Sequence, residues 1–131
     1  MPEEVVLATD TELYEAGRAH MAAGELEAAH NALRLSAEAN PHFKTLELLG
    51  ECLLKLGRPK EAIVPLAAAS ALNAGIRAPS LLAQAFLALG EHGRAAHFAS
   101  RVLTLAPGNR PALEVLSNPA VQAAAARAAG V

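Results

Sequence analysis

The sequence predicts an all-α protein that consists of three antiparallel helix-turn-helix hairpins followed by C-terminal capping helices. One observation is a fixed period, because Gly24, Gly57 and Gly90 are spaced 33 residues apart and periods of this size are typical of repeat architectures. An alanine follows each of these glycines five residues later. Apolar residues also recur at gaps of three and four within each unit, which places them on one face of a helix.

The elements of a hairpin have recognisable start and stop signals. The segment from Thr9 to Glu12 is a capping box that starts the first helix. Only three residues separate the two helices of a unit, so the helices must pack antiparallel. Pro41 and Pro107 follow the second helices of the first and third units, where a proline cannot continue the helix. Asn118 and Pro119 are an N-cap and a first helical residue, so an Ala-rich helix should follow a short helix that begins after Asn109.

Small residues recur where the two helices of each hairpin are expected to cross. One small column lies on the first helices and a second, on the second helices, is predicted to face it; their members are Gly17, Gly50, Ala83 and Ala29, Ala62, Ala95. The turn glycines are expected to adopt the left-handed conformation that ends a helix. In the middle unit, Pro65 lies inside the second helix and is expected to kink it.

The order of a small residue, a turn glycine, an alanine and a proline resembles the tetratricopeptide repeat, most clearly in Leu13 to Gly17, Gly24, Ala29 and Pro41. The resemblance covers roughly residues 10–108. It implies a right-handed α-solenoid with repeats at residues 9–42, 43–75 and 76–108, an N-terminal segment at 1–8 and capping helices at 109–131. The period is one residue shorter than the usual value of about 34, and the aromatic residues common in the family are mostly replaced here.

Composition argues against several classes of partner and location. A net charge of −2 and an aromatic content of 3% do not favour nucleic acid. From Ala62 to Gly90 the only charge is Arg77, but prolines and polar residues interrupt the stretch, so we expect no membrane insertion. The N-terminus lacks the basic start of a signal peptide. The single Cys52 favours a reducing compartment, and we therefore expect a cytoplasmic protein.

In the family, the first helices of successive repeats line a concave groove that holds an extended or helical peptide. The resemblance implies groove positions that mix both charge signs with apolar residues; they are Tyr14, Arg18, Met21, Lys44, Glu47, Glu51, Leu54, Arg77, Gln84 and Leu87. Some relatives hold the acidic C-terminus of a chaperone with Lys, Asn and Arg. The matching positions of the first unit are Tyr14, Glu15 and Arg18, and Glu15 disfavours that specificity.

The second helix of the middle unit carries no charge from Ala62 to Ala74. Helices that are apolar all round are normally covered, although exposed alanine is also common. The predicted outward positions are Val64, Ala67, Ala68 and Ala71. The N-terminal Val5-Val6-Leu7 segment, the Ala-rich tail and a second copy of the chain are the candidates to cover them.

The sequence contains no pattern that indicates catalysis or metal binding. The five histidines do not share a three- or four-residue spacing, and no glycine-rich loop is placed to hold a phosphate. We expect no catalytic residue, no metal site, no cofactor and no enzymatic activity. The leading hypothesis is an adaptor or scaffold that binds a peptide or helix of another protein. The alternative is a self-associating structural, chaperone-like or accessory subunit that uses the convex face of the middle repeat.

Overall fold

A computed structural model describes residues 7–130, and within that range the chain forms eight α-helices and no strand. The helices are α1 (Asp10–Ala23), α2 (Leu26–Ala39), α3 (Phe43–Lys55), α4 (Pro59–Leu72), α5 (Arg77–Ala88), α6 (His92–Leu105), α7 (Arg110–Ser117) and α8 (Pro119–Ala128). Most of the predicted N-terminal segment at 1–8, including Val5 and Val6, lies outside the described residues. Leu7 is 80% exposed, so it does not cover the convex face.

The local signals act as the sequence predicts. The Thr9 hydroxyl accepts a hydrogen bond from the Glu12 backbone N–H at 3.1 Å and donates one to the Glu12 carboxylate at 3.1 Å. The turn glycines Gly24, Gly57 and Gly90 have φ values of 76°, 74° and 74°. This left-handed conformation lets the next residue donate its backbone N–H to a carbonyl of the last helical turn, as Glu25 does to His20 at 2.9 Å.

The helices pair as three hairpins, α1 with α2, α3 with α4 and α5 with α6, and each hairpin packs against the next along the chain. α7 and α8 close the array against α5 and α6. The side chain of Asn109 caps α7, and the side chain of Asn118 accepts from the backbone N–H groups of Ala120 and Val121 to cap α8. The predicted pair of C-terminal helices is therefore present.

The close crossing of each hairpin is made differently from the sequence prediction. A Cβ atom added at Gly17 would lie 2.5 Å from the side chain of Leu33, and one added at Gly50 would overlap Leu66. The facing residue is therefore a leucine one turn further along the helix than the predicted alanine. The alanines Ala29, Ala62 and Ala95 are nevertheless fully buried in the core.

In the middle hairpin, α4 runs from Pro59 to Leu72 as one helix with Pro65 inside it. Proline removes one backbone hydrogen bond, but the helix is not interrupted at this residue. No helix of the described residues is long and apolar enough to cross a membrane.

Candidate functional site

Two neighbouring depressions lie on the side of the array that is formed by the first helices of the hairpins. The first has a volume of about 370 Å³ and is lined by Tyr14, Arg18, Met21, Phe43, Lys44, Glu47, Leu48 and Arg77. The second has a volume of about 550 Å³ and is lined by Glu51, Leu54, Lys55, Ile76, Arg77, Ser80, Leu81, Gln84, Asn109 and Pro111. Both are open hollows between consecutive first helices, and together they extend across α1, α3, α5 and the start of α7.

Arg77 joins the two depressions because its side chain lines both. It begins α5, and one of its guanidinium nitrogens donates to Glu51 Oε2 at 2.6 Å. Glu47, one turn earlier on α3, is only 7% exposed. Burial raises the pKa of Glu47, while Arg77, the backbone N–H of Ala78 and Lys44 oppose that rise. Arg77 thus balances two carboxylates that would otherwise repel each other at an i, i+4 spacing.

The first depression has two further cations with little neutralisation. Arg18 lies 3.5 Å from Glu15 and 5.9 Å from the centre of the Tyr14 ring, and its side chain is 59% exposed. Among the described residues, no carboxylate lies within ion-pairing distance of the exposed Lys44. Because the one acid that lines this depression is buried and has a raised pKa, the cations dominate its surface.

Comparison with known proteins identifies the fold. No family model matches the sequence, and no curated protein matches it at a significant level. Among solved structures, the first tetratricopeptide-repeat domain of Spaghetti (RPAP3), bound to an HSP90 peptide, is 22% identical with a TM-score of 0.78, over 92% of this chain and 94% of that one. The chain has the tetratricopeptide-repeat fold.

Two further tetratricopeptide-repeat neighbours support the same assignment. The Arabidopsis OM64 domain has a TM-score of 0.78 at 18% identity and covers 83% of this chain and 92% of that one. The Yersinia enterocolitica type III secretion chaperone SycD, in complex with a peptide of the translocator YopD, has a TM-score of 0.72 at 21% identity, covering 92% and 97%. The predicted all-α, right-handed solenoid of tetratricopeptide-like repeats is therefore confirmed as a fold.

Nine of the ten predicted groove residues line the two depressions of the tetratricopeptide-repeat array. Tyr14, Arg18, Met21, Lys44 and Glu47 line the first, Glu51, Leu54 and Gln84 line the second, and Arg77 lines both. Leu87 does not, because it is half-buried against the core. Leu87 is the eleventh residue of α5, whereas α7 ends after eight residues and is too short to form an opposite wall.

Sequence reasoning missed five lining residues, which are Phe43, Leu48, Ile76, Asn109 and Pro111. A signal for one of them was present, since Leu48 lies 33 residues before Leu81, which the family resemblance placed in the groove. Phe43 and Ile76 begin or precede a helix, where the column pattern is weakest. Asn109 and Pro111 belong to the short closing helix.

The convex face of the middle repeat is partly as predicted. Val64 is 75% exposed, and Ala67 and Ala71 are exposed as well. Ala68 is different, because it is half-buried and packs with the small apolar cluster of Leu46, Ala69 and Ala78. Its position on α4 faces the preceding hairpin, not the solvent.

The remaining polar and reactive side chains have structural surroundings. Cys52 is buried, its thiol donates to the Leu26 carbonyl at 3.2 Å, and burial raises its pKa. The half-buried His20 lies 3.2 Å from a Glu25 carboxylate oxygen. Within residues 7–130, no three His, Cys, Asp or Glu side chains are grouped closely enough to hold a metal ion.

Proposed function

We propose that the concave face binds one segment of a partner protein, in extended or helical form, and that the chain acts as an adaptor or scaffold in the cytoplasm. The observation that carries the proposal is the pair of adjoining depressions, which together make one open groove across three repeats at 9–42, 43–75 and 76–108. Two structures with the same fold contain a bound peptide, from HSP90 in one and from the translocator YopD in the other. That likeness supports the proposal.

The first depression favours an acidic side chain of the bound segment. Arg18 and Lys44 project from two different helices toward one hollow, and Tyr14 and Met21 supply an apolar wall beside them. A carboxylate in this position gains charge-assisted hydrogen bonds in a partly desolvated site. Rim charges of this kind also raise association rates.

The second depression favours an apolar side chain next to that acid. Leu54, Ile76 and Leu81 provide its apolar surface, while Ser80 and Gln84 offer hydrogen bonds to a peptide backbone. Because Arg77 already pairs with Glu51, this part of the groove carries less free charge than the first. The proposed ligand therefore has an acidic residue and an apolar residue within a few positions of each other.

A displayed library of random peptides, selected against the full chain, tests the groove. The test variant is Arg18→Glu with Lys44→Glu, and it avoids Arg77 because a third carboxylate beside Glu47 and Glu51 would destabilise the fold. The matched control is Arg34→Glu with Lys60→Glu, which changes net charge equally at exposed sites away from both depressions.

Selected peptides should bind the test variant at least about tenfold more weakly, since each exposed ion pair contributes about 1 kcal/mol at most and reversal adds repulsion. They should bind the control like the wild type, and circular dichroism should show equal helicity in all three proteins. Equal binding to both double variants would overturn the groove assignment.

A second candidate function is self-association through the convex face of α4. The observation in its favour is the exposure of Val64 (75%) and Leu72 (59%) on a helix whose second half has no charge. Val64→Glu should then lower the sedimentation coefficient at high concentration. Asn31→Glu, at the equivalent position of α2, is the matched control, and no change with Val64→Glu would exclude this face.

A further inference from the structure

The two ends of the array carry apolar surfaces that no part of the described chain covers. A repeat array buries one side of each hairpin against the preceding hairpin and the other side against the next, and its terminal units normally have a polar outer face. On the first hairpin, the side away from α3 instead carries seven apolar residues at helical spacing. They are Ala16, Ala19 and Ala23 on α1 and Ala28, Ala32, Leu35 and Ala39 on α2, and we call this surface the head.

The equivalent position inside the array shows what the head lacks. Ala68 lies 33 residues after Leu35, and it packs in a cluster that includes Ala37 of the preceding hairpin. Leu35 itself is 43% exposed, because no described hairpin precedes α1 and α2. The head is therefore the unpaired half of a contact that the chain makes internally.

The opposite end has a complementary apolar surface. Val121 and Ala125 of α8 face α6, which leaves the other side of α8 exposed. That side carries Ala120, Ala123 and Ala126, and Leu113 of α7 is 47% exposed beside it. We call these four residues the tail. Small side chains on both surfaces allow two helical layers to approach closely.

Charge selects which surfaces can meet. The first hairpin, residues 10–39, contains six acidic and two basic side chains, a net charge of −4. Residues 40–130 contain nine basic and five acidic side chains, a net charge of +4. Contact between two heads brings like charges together, whereas a head against a tail brings opposite charges together.

We propose that copies of this chain stack head to tail, with the tail of one copy on the head of the next. A heterologous contact of this kind extends into rows and does not close at two copies. It leaves the concave groove open in every copy, so the stack would present a continuous binding surface.

Two blocked variants of the full chain test the proposal by sedimentation velocity at low salt. The head-blocked variant is Leu35→Arg and the tail-blocked variant is Ala123→Glu with Ala126→Glu. Asn31→Arg, on the convex side of α2, is the control. Wild type and control should form species that grow with concentration and shrink as salt rises. Each blocked variant alone should remain monomeric, with a dissociation constant raised at least about tenfold.

The decisive sample is an equal mixture of the two blocked variants. Each retains one intact end, so the mixture should form dimers and nothing larger. A tail-blocked variant that still dimerises indicates head-to-head contact, and blocked variants that associate like the wild type indicate another face; both results overturn the proposal. A monomeric wild type also overturns it, including one that associates only after residues 1–6 are deleted. Equal helicity and melting temperature of all variants exclude misfolding, and peptide binding in the groove is measured separately.

Discussion

The first two hairpins and the third make the same helix crossing with different pairs of side chains. Gly17 faces Leu33 and Gly50 faces Leu66, so in each case a leucine fills the space that a missing Cβ leaves. The equivalent residues of the third hairpin are Ala83 and Ala99, both fully buried. The comparison shows that the crossing is conserved as a total volume and not as a residue type, which is how close-packed interiors behave.

The largest expected effect comes from removing the leucine of a Gly–Leu pair. Leu66→Ala leaves a cavity opposite Gly50, which has no side chain to fill it, and should lower the free energy of unfolding by about 3–4 kcal/mol. Urea unfolding followed by circular dichroism measures the change. Leu72→Ala is the control, since Leu72 is on the same helix and 59% exposed. A loss below about 1 kcal/mol at Leu66 would show that the crossing relaxes and that the volumes are not matched.

Adding a methyl group on the other side of the pair should cost less. Gly50→Ala brings a Cβ into the Leu66 side chain. Overpacking costs about 1–3 kcal/mol and the better helix propensity of alanine returns up to about 1 kcal/mol, so the expected net loss is about 1–2 kcal/mol.

The double variant Gly50→Ala with Leu66→Ala copies the pair of the third hairpin. Its loss should be smaller than the sum of the two single losses by at least about 0.5 kcal/mol, because the methyl group occupies part of the cavity. Additive losses in this double-mutant cycle would mean that Ala83 and Ala99 do not represent an alternative solution of the same crossing.

The sequence predicted the parts of the molecule that depend on local spacing. The turn glycines, the Thr9 and Asn118 caps and the exposed or buried side of each helix follow from neighbours within one or two turns. The partner of Gly17 did not follow, because the tilt of two helices decides whether Ala29 or Leu33 meets it. The pairing of Arg77 with Glu51 joins residues 26 apart, and Ala68 faces an adjoining hairpin. Such features depend on how hairpins stack, which the period alone does not specify.

The turn glycines are the feature in which the three hairpins do not differ, and they set the scale for smaller effects. Gly57 has φ of 74°, and an added Cβ would meet no atom within 4 Å. Gly57→Ala should therefore cost only the left-handed backbone conformation, about 1 kcal/mol. Gly24→Ala and Gly90→Ala should agree with it within about 0.5 kcal/mol, and Gly57→Asn should cost less because asparagine tolerates this conformation. Thermal unfolding compares the four variants, and unequal losses would separate the hairpins at their turns as well.

The smallest expected effect is a pH dependence that belongs to the middle hairpin. Positions 14, 47 and 80 are equivalent and hold Tyr14, Glu47 and Ser80, so only the middle repeat buries an acid there. Because burial raises the pKa of Glu47 above its value of about 4.5 in the unfolded chain, the folded state holds the proton more tightly. Stability relative to Glu47→Gln is then greatest below pH 4.5 and falls as pH rises through the folded pKa.

The change should amount to less than about 1.4 kcal/mol, the equivalent of one pKa unit. Urea midpoints of both proteins across pH 3.5 to 7, a range of about one unit below and a few above the unfolded pKa, measure it. Glu61→Gln supplies a control of opposite sign, since the hydrogen bond from Arg58 lowers the pKa of Glu61 and its stabilisation is lost as pH falls. If the Glu47→Gln difference is flat or rises with pH, then Arg77 outweighs burial and the middle repeat holds an ordinary ionised glutamate, equivalent in effect to the neutral residues of its neighbours.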